Sequence, residues 1–190
     1  IPDKASKVVF VIAPAMALIP AVMTLAVIPF GPAVTIMGRQ VDIYMADVNI
    51  GILYIFAVSS IGVYGIVLAG WSSESKYSLL GGLRSSAQMI SYELSMGFAL
   101  VGVIMMSQSL SMVKIIEAQK GVWFIVPQFF GFIIYITAAI AELNRTPFDL
   151  PEGESELVAG YFTEYSSMKY AMFMLGEYIN IISVSGIVTT

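Results

Sequence analysis

The chain has 190 residues, is 58% hydrophobic and only 12% charged, and carries a formal net charge of −4; soluble domains have about twice that charged fraction. It contains no cysteine and no histidine, which excludes disulfides, thiolate-held iron–sulfur clusters, His-ligated haem, the usual zinc sites and Cys or Ser-His nucleophilic chemistry. The negative balance argues against nucleic acid as a partner.

Mean hydropathy is +0.86, and several apolar runs reach about 20 residues, enough to cross a bilayer as helices. The expected fold is an all-α polytopic transmembrane helix bundle of about five spans, one domain over 1–190. The chain opens on Ile1-Pro2-Asp3-Lys4 with no signal-peptide layout and stops at Val188-Thr189-Thr190 inside an apolar run. The expectation is a fragment, incomplete at both ends.

The first span covers about 8–28. Pro14 and Pro20 interrupt it, and neighbouring helices in a bundle re-satisfy the carbonyls they free. Pro29-Phe30-Gly31-Pro32 ends it, and a loop follows with Arg39, Asp42 and Asp47. The second span, about 50–70, is rich in glycine and serine, including Ser59 and Ser60, as close helix packing in lipid prefers. Trp71 stands at its end, where an interfacial ring belongs. A short polar loop, 72–84, carries Lys76 and Arg84.

The third span covers about 85–106 and contains Glu93. In the connector, 107–121, Leu110, Val113 and Ile116 fall on one face of a short interfacial helix. The fourth span, about 122–141, ends on Glu142. Gln128, Tyr135 and Glu142 are spaced by seven and share a face. The fifth starts near Met168 and contains Glu177, with Asn180 on the same face. Between the last two spans lies the polar outlier of the chain. Over 141–157 it gathers Glu142, Asp149, Glu152, Glu154 and Glu156 around a single base, Arg145; Glu164 follows.

An odd count of spans places the ends on opposite sides. The N-terminal side, which also holds the acidic loop, receives Lys4, Lys7, Lys76, Arg84, Arg145 and Lys169. The other side receives Arg39, Lys114 and Lys120. The bias makes the acidic-loop side cytoplasmic, or its matrix or stromal equivalent.

Carboxylates in spans are costly, and they usually face a bundle interior or a water path. At the helical rise of about 1.5 Å per residue, Glu142 lies near the surface, Glu93 roughly 10 Å in and Glu177 roughly 13 Å in. Such graded depths suit a chain of proton-exchanging sites; the alternative is a set of buried, hydrogen-bonded glutamates that hold helices together. No lysine or arginine lies near Glu177 in its own span. Arg145 is expected to pair with Asp149, Glu152 or a partner's carboxylate. Asp149-Leu150-Pro151-Glu152 has the spacing of a capping box, so Asp149 and Glu152 are either caps or functional acids. Gly160 is placed to end that helix. Glu154 and above all Glu156 are less well explained by capping.

Several motifs carry a family resemblance: Trp71-Ser72-Ser73-Glu74-Ser75-Lys76-Tyr77-Ser78-Leu79-Leu80-Gly81, Ser91-Tyr92-Glu93, Asn144-Arg145-Thr146-Pro147-Phe148-Asp149, Glu152-Gly153-Glu154-Ser155-Glu156-Leu157, Glu164-Tyr165-Ser166 and Gly176-Glu177-Tyr178. In order and over nearly the whole chain, they resemble the H-type membrane subunits of respiratory complex I, the family called NADH dehydrogenase subunit one in mitochondria. The resemblance implies an eight-helix membrane subunit at the junction with the peripheral arm. Its loops wall a quinone chamber together with peripheral-arm subunits, one of which carries the terminal Fe–S cluster. NADH, FMN and Fe–S clusters then sit in partner subunits, with quinone as the substrate, and other membrane-arm subunits and the bilayer are further partners.

The resemblance carries Glu93, Glu142 and Glu177 over as carboxylates of a proton path. Glu154, Glu156 and Glu164 become acids near its entrance. Arg145, Phe148 and Asp149, with Trp71, Lys76 and Arg84, belong to the quinone chamber and its loops. The family's first span and the amphipathic helix after it are absent upstream, and its last spans are absent downstream. The rival reading is the related membrane subunit of an energy-converting hydrogenase or ferredoxin-linked complex. A stand-alone proton-coupled transporter should show paired repeats, and none is found; a purely structural anchor does not need three membrane carboxylates.

Overall fold

The computed structural model describes residues 5–31, 34–36, 38–41, 43–149 and 160–190. Among them six helices follow one another: α1 Lys7–Leu25, α2 Gly51–Ser72, α3 Lys76–Ser107, α4 Met112–Ala118, α5 Phe129–Glu142 and α6 Ser167–Thr189. A small antiparallel hairpin, β1 Val34–Ile36 and β2 Arg39–Val41, fills part of the loop after α1. Four helices, α1, α2, α3 and α6, are long and apolar enough to cross a membrane. The architecture is an all-α transmembrane bundle, as the hydropathy implied.

Two boundaries differ from the sequence reading. Most of the polar stretch 72–84 is helix, because α3 starts at Lys76. Its buried positions there are Ser78, Gly81, Gly82, Ser85 and Ser86, a stripe of small residues at helical spacing that lets other backbone come close. α5 starts only at Phe129 and has 14 residues. Pro127 explains this: its ring disfavours helical backbone at Val126, and it has no N–H to offer. Residues 122–128 form turns instead, with Phe124 buried against Ile52, Met112 and Ile115.

The connector does hold a short helix, α4, but a different face is buried. Met112 and Ile115 enter the core, while Leu110, Val113 and Ile116 stay partly or fully exposed. The phase is set at its start, where the Ser111 hydroxyl accepts from the Lys114 N–H and donates to Asp47 at 2.7 Å.

α1 packs against α2 and α6, α2 against α3, and α3 against α5. The α1–α2 approach depends on Gly65, where a Cβ would stand 2.6 Å from the Ala17 nitrogen. Near the N-terminal end of α1 an aromatic cluster anchors the chain between α5 and α6. Phe10 stacks on Tyr165 with centroids 4.0 Å apart, and Phe173 meets both Tyr165 and Tyr161 edge-on. The remaining two apolar clusters, around Ile28 and around Met96 and Tyr135, bring the C-terminal turns of α6 against α2, α3 and α5.

Candidate functional site

The helices enclose a cavity of about 90 Å³, room for several waters. Its polar lining includes Thr24 of α1, Ser59 of α2, Tyr135 and Glu142 of α5, Asn144 just after α5, Tyr161 of the turn before α6, and Glu177, Asn180 and Ser183 of α6. Thr24 and Ser183 share a hydrogen bond of 2.9 Å that joins α1 to α6. A wider apolar cavity, about 1010 Å³, lies by α4, residues 123–125 and the end of α6, and among the described residues none of the sequence-predicted site residues lines it.

Glu142 is the last residue of α5. Its Oε2 is buried within the bundle and has no hydrogen-bond partner among the described residues. Tyr135, two turns earlier on the same face, is 5% exposed and lines the same cavity. Gln128, at the start of that face, is turned to the wider cavity and to Met106 of α3. Glu93, in α3, receives two hydroxyls from α2: Ser60 Oγ at 2.7 Å and Ser59 Oγ at 3.0 Å, both on Oε1.

Glu177 is paired. Arg145 Nη2 lies 2.9 Å from its Oε1, with the carboxylate side chain 18% exposed and the arginine 45%. The guanidinium also covers the Tyr178 ring at 5.6 Å. Among the described residues Arg145 therefore pairs with Glu177 and not with Asp149, while Glu152, the other acid expected for it in this chain, lies outside the described residues; the base beside Glu177 is not one of its own span. That base comes from a loop distant in sequence, which inspection of its own span does not reveal.

The loop reaches Glu177 because α3 holds it. Gln88 Nε2 donates to the Ala141 carbonyl at 2.7 Å and to the Phe148 carbonyl at 2.8 Å. Asn144 donates to Ser85 at 2.9 Å, and the Phe148 N–H closes a turn onto the Arg145 carbonyl at 2.7 Å. Asn144 itself has φ +50°, a left-handed geometry that asparagine tolerates better than most residues. Phe148 lies partly buried, its ring 5.9 Å from that of Tyr92, and Asp149 is exposed.

The other predicted site residues are not gathered at the cavity. Trp71, Lys76 and Arg84 are exposed about the α2–α3 corner, and Glu164 is exposed just ahead of α6. Tyr165 next to it is buried; burial pushes its phenol pKa up, against the opposing effect of the Ser72 hydroxyl. Glu152, Glu154 and Glu156 lie outside the described residues. Among the described residues no three acids converge as a metal-binding group.

Ser59, Ser60, Ser85 and Gln88 were missed in the sequence. The serines pass for packing residues in a glycine-rich span, and Gln88 sits one turn from Glu93 without a motif of its own. The available signal was that a polar side chain within an apolar helix needs a partner.

A profile of the NADH dehydrogenase family matches residues 1–190. The chain is 55% identical to an H-type subunit (the one numbered 2) of the NADH-quinone oxidoreductase of Geobacter metallireducens, over 100% of this chain and 58% of that protein. It is 54% identical to the H-type subunit numbered 1 of Geobacter sulfurreducens, with the same coverage. The corresponding NADH-quinone oxidoreductase protein of Streptomyces avermitilis is 55% identical over 98% of this chain and 42% of its own length. The chain thus spans roughly half the length of these relatives. Matched from end to end, the chain belongs to the NADH dehydrogenase family.

Proposed function

We propose that this chain is the quinone-side, proton-coupling part of a membrane subunit of an NADH:quinone oxidoreductase. The observation that carries the reading is the ion pair between Arg145, on the loop after α5, and Glu177, which lines the polar cavity of the bundle. It makes one electrostatic unit of the loop and the cavity. Arg145, Phe148 and Asp149 contribute to the wall of the quinone chamber, with Trp71, Lys76 and Arg84 at its surrounding loops. Glu93, Glu142 and Glu177 form the proton path, and Glu154, Glu156 and Glu164 the acids near its entrance.

The residue types of the chain fit that division of labour. Without cysteine or histidine, it carries no ligand set for an Fe–S cluster or haem. NADH, FMN and the clusters belong to peripheral-arm partners, the one with the terminal cluster among them, and other membrane-arm subunits continue the path. Reduction of quinone at the loop adds negative charge there and competes for the Arg145 guanidinium. Once Arg145 is drawn away, the Glu177 carboxylate loses its counter-charge in a low-dielectric site and takes up a proton. The acidic-loop side faces the cytoplasm of a bacterium or the mitochondrial matrix.

Glu177→Gln keeps size and hydrogen bonding but removes the charge cycle. In the assembled complex it should lower quinone-linked turnover and proton pumping by about tenfold or more, the scale of losing one transition-specific charge interaction. Glu177→Asp should retain part of both, and NADH oxidation by an artificial acceptor should continue. A Glu177→Gln complex that assembles and pumps at the wild-type ratio and rate would show a packing residue and remove the reading.

A further inference from the structure

Ser59 and Ser60 each have one hydroxyl proton and two acceptors within reach. Ser59 Oγ stands 3.0 Å from the Phe56 carbonyl and 3.0 Å from Glu93 Oε1. Ser60 Oγ stands 2.9 Å from the same carbonyl and 2.7 Å from the same carboxyl oxygen. A hydroxyl donates once and accepts twice, so it cannot serve both acceptors at one time. An ionised carboxylate only accepts, and both hydroxyl protons then turn to it. A protonated carboxyl donates. The hydroxyl that receives its proton must release its own, and the Phe56 carbonyl, one helical turn back, has a second lone pair for it. Either state of Glu93 leaves these groups hydrogen-bonded.

We propose that Ser59 and Ser60 are positioning residues for proton exchange at Glu93, swinging their hydroxyl protons between its carboxyl and the Phe56 carbonyl. Glu93 does not itself line the cavity, so the proton reaches it from cavity water through Ser59, which does. An O–H bond of hydronium breaks as one forms on Ser59 Oγ, the hydroxyl's own O–H bond breaks as one forms on the Glu93 carboxyl, and no electrons change hands; Ser59 is left neutral and rotates back, and Ser60 rotates without ionising. The cost of leaving a polar group unmatched in one of the two states, which would trap Glu93 in the other, is thereby avoided. α2 carries no acidic or basic side chain, so its hydroxyls are what it offers Glu93. From α5, Glu142 is the acid close enough to feel the charge of Glu93, and its Oε2 has no such exchange partner among the described residues.

The inference rests on Glu93 belonging to a proton path, and the test separates the two claims. Infrared difference spectra of the assembled complex, recorded between oxidised and NADH-reduced states, identify the Glu93 carboxyl band as the one lost in Glu93→Gln. In the double variant Ser59→Ala/Ser60→Ala that band should move to higher frequency, as a less hydrogen-bonded carboxyl does. Quinone-linked turnover should fall about tenfold, the scale of losing hydrogen bonds to a charged group. Ser59→Thr/Ser60→Thr keeps the hydroxyls and should hold the band at its wild-type frequency and turnover within about twofold of wild type; an assembled Thr variant whose band lies above the wild-type frequency or whose turnover falls about tenfold would overturn the proposal, even if the Ala variant fails to assemble. An unchanged band and unchanged turnover in the Ala variant would overturn it as well. If Glu93→Gln itself turns over and pumps normally, the placement of Glu93 in the path fails first, and the serines' role in exchange fails with it.

Discussion

Arg145 Nη2 and Glu177 Oε1 stand 2.9 Å apart, and this one contact ties the loop after α5 to a carboxylate on the wall of the bundle cavity. The arginine is half in solvent while the glutamate is largely shielded. Screening therefore weakens the pair relative to a buried one, and a partner on the loop side can compete for the guanidinium.

A double-mutant cycle measures that relation. Arg145→Ala and Glu177→Gln should each lower quinone-linked kcat/KM, and the double variant should lose less than the product of the two. The expected coupling is about 1 kcal/mol, toward the low end for contacting residues because Arg145 is exposed. Reduction of an artificial acceptor upstream should be unaffected in all three. Strict additivity would mean that the two side chains act independently in turnover.

Gln88 anchors the loop through two carbonyls, those of Ala141 and Phe148. Gln88→Leu removes both donors and should cost about 1 kcal/mol for each hydrogen bond. The consequence should be local: faster amide hydrogen exchange over 143–149, with the cores of α1 and α2 unchanged. Quinone-linked turnover should fall because Arg145 is less often seated on Glu177. Wild-type exchange over that loop would show that α3 does not hold it.

Gly81 is where α3 meets the segment before α6. A Cβ there would stand 2.7 Å from the Gly160 Cα, closer than backbone can tolerate. Gly81→Ala should destabilise by about 1–3 kcal/mol, the cost of overpacking a tight contact. The measurement is the melting temperature and yield of the assembled complex. Gly97, where nothing lies within 4 Å of the added atom, is the control; Gly97→Ala should be neutral or slightly stabilising, since alanine suits a helix interior better.

The sidedness of the loops is open to single-cysteine labelling without background, because the chain has no cysteine. Ser75→Cys, at the start of α3, and Ser166→Cys, at the start of α6, should label from one membrane face, and Lys120→Cys from the other. Labelling of Ser75→Cys and Ser166→Cys from opposite faces would overturn both the topology and the shared-loop surface of the proposed quinone chamber.

The sequence by itself determined the class, the approximate place of the apolar helices and the acids that interrupt them; of the five expected spans, four are helices long enough to cross and the fourth in order, α5, is shorter. Hydropathy and run length are local quantities, so 8–28 and 50–70 foretold α1 and α2 within a few residues. The acids at Glu93, Glu142 and Glu177 stand out for the same reason, since a charge in an apolar run is visible without knowing its neighbours. Where helices begin was less legible when small residues hid the period, as at the start of α3, or when one proline broke a run, as before α5. Only the tertiary structure decided which polar groups meet. Arg145 is 32 positions before Glu177, and Ser60 is 33 before Glu93. Contacts over such separations depend on the order and rotation of packed helices, which no local pattern encodes. The same packing buries the Oε2 of Glu142 within the bundle, which rise along the helix axis does not reveal. The sequence exposed the charges; the fold chose their partners.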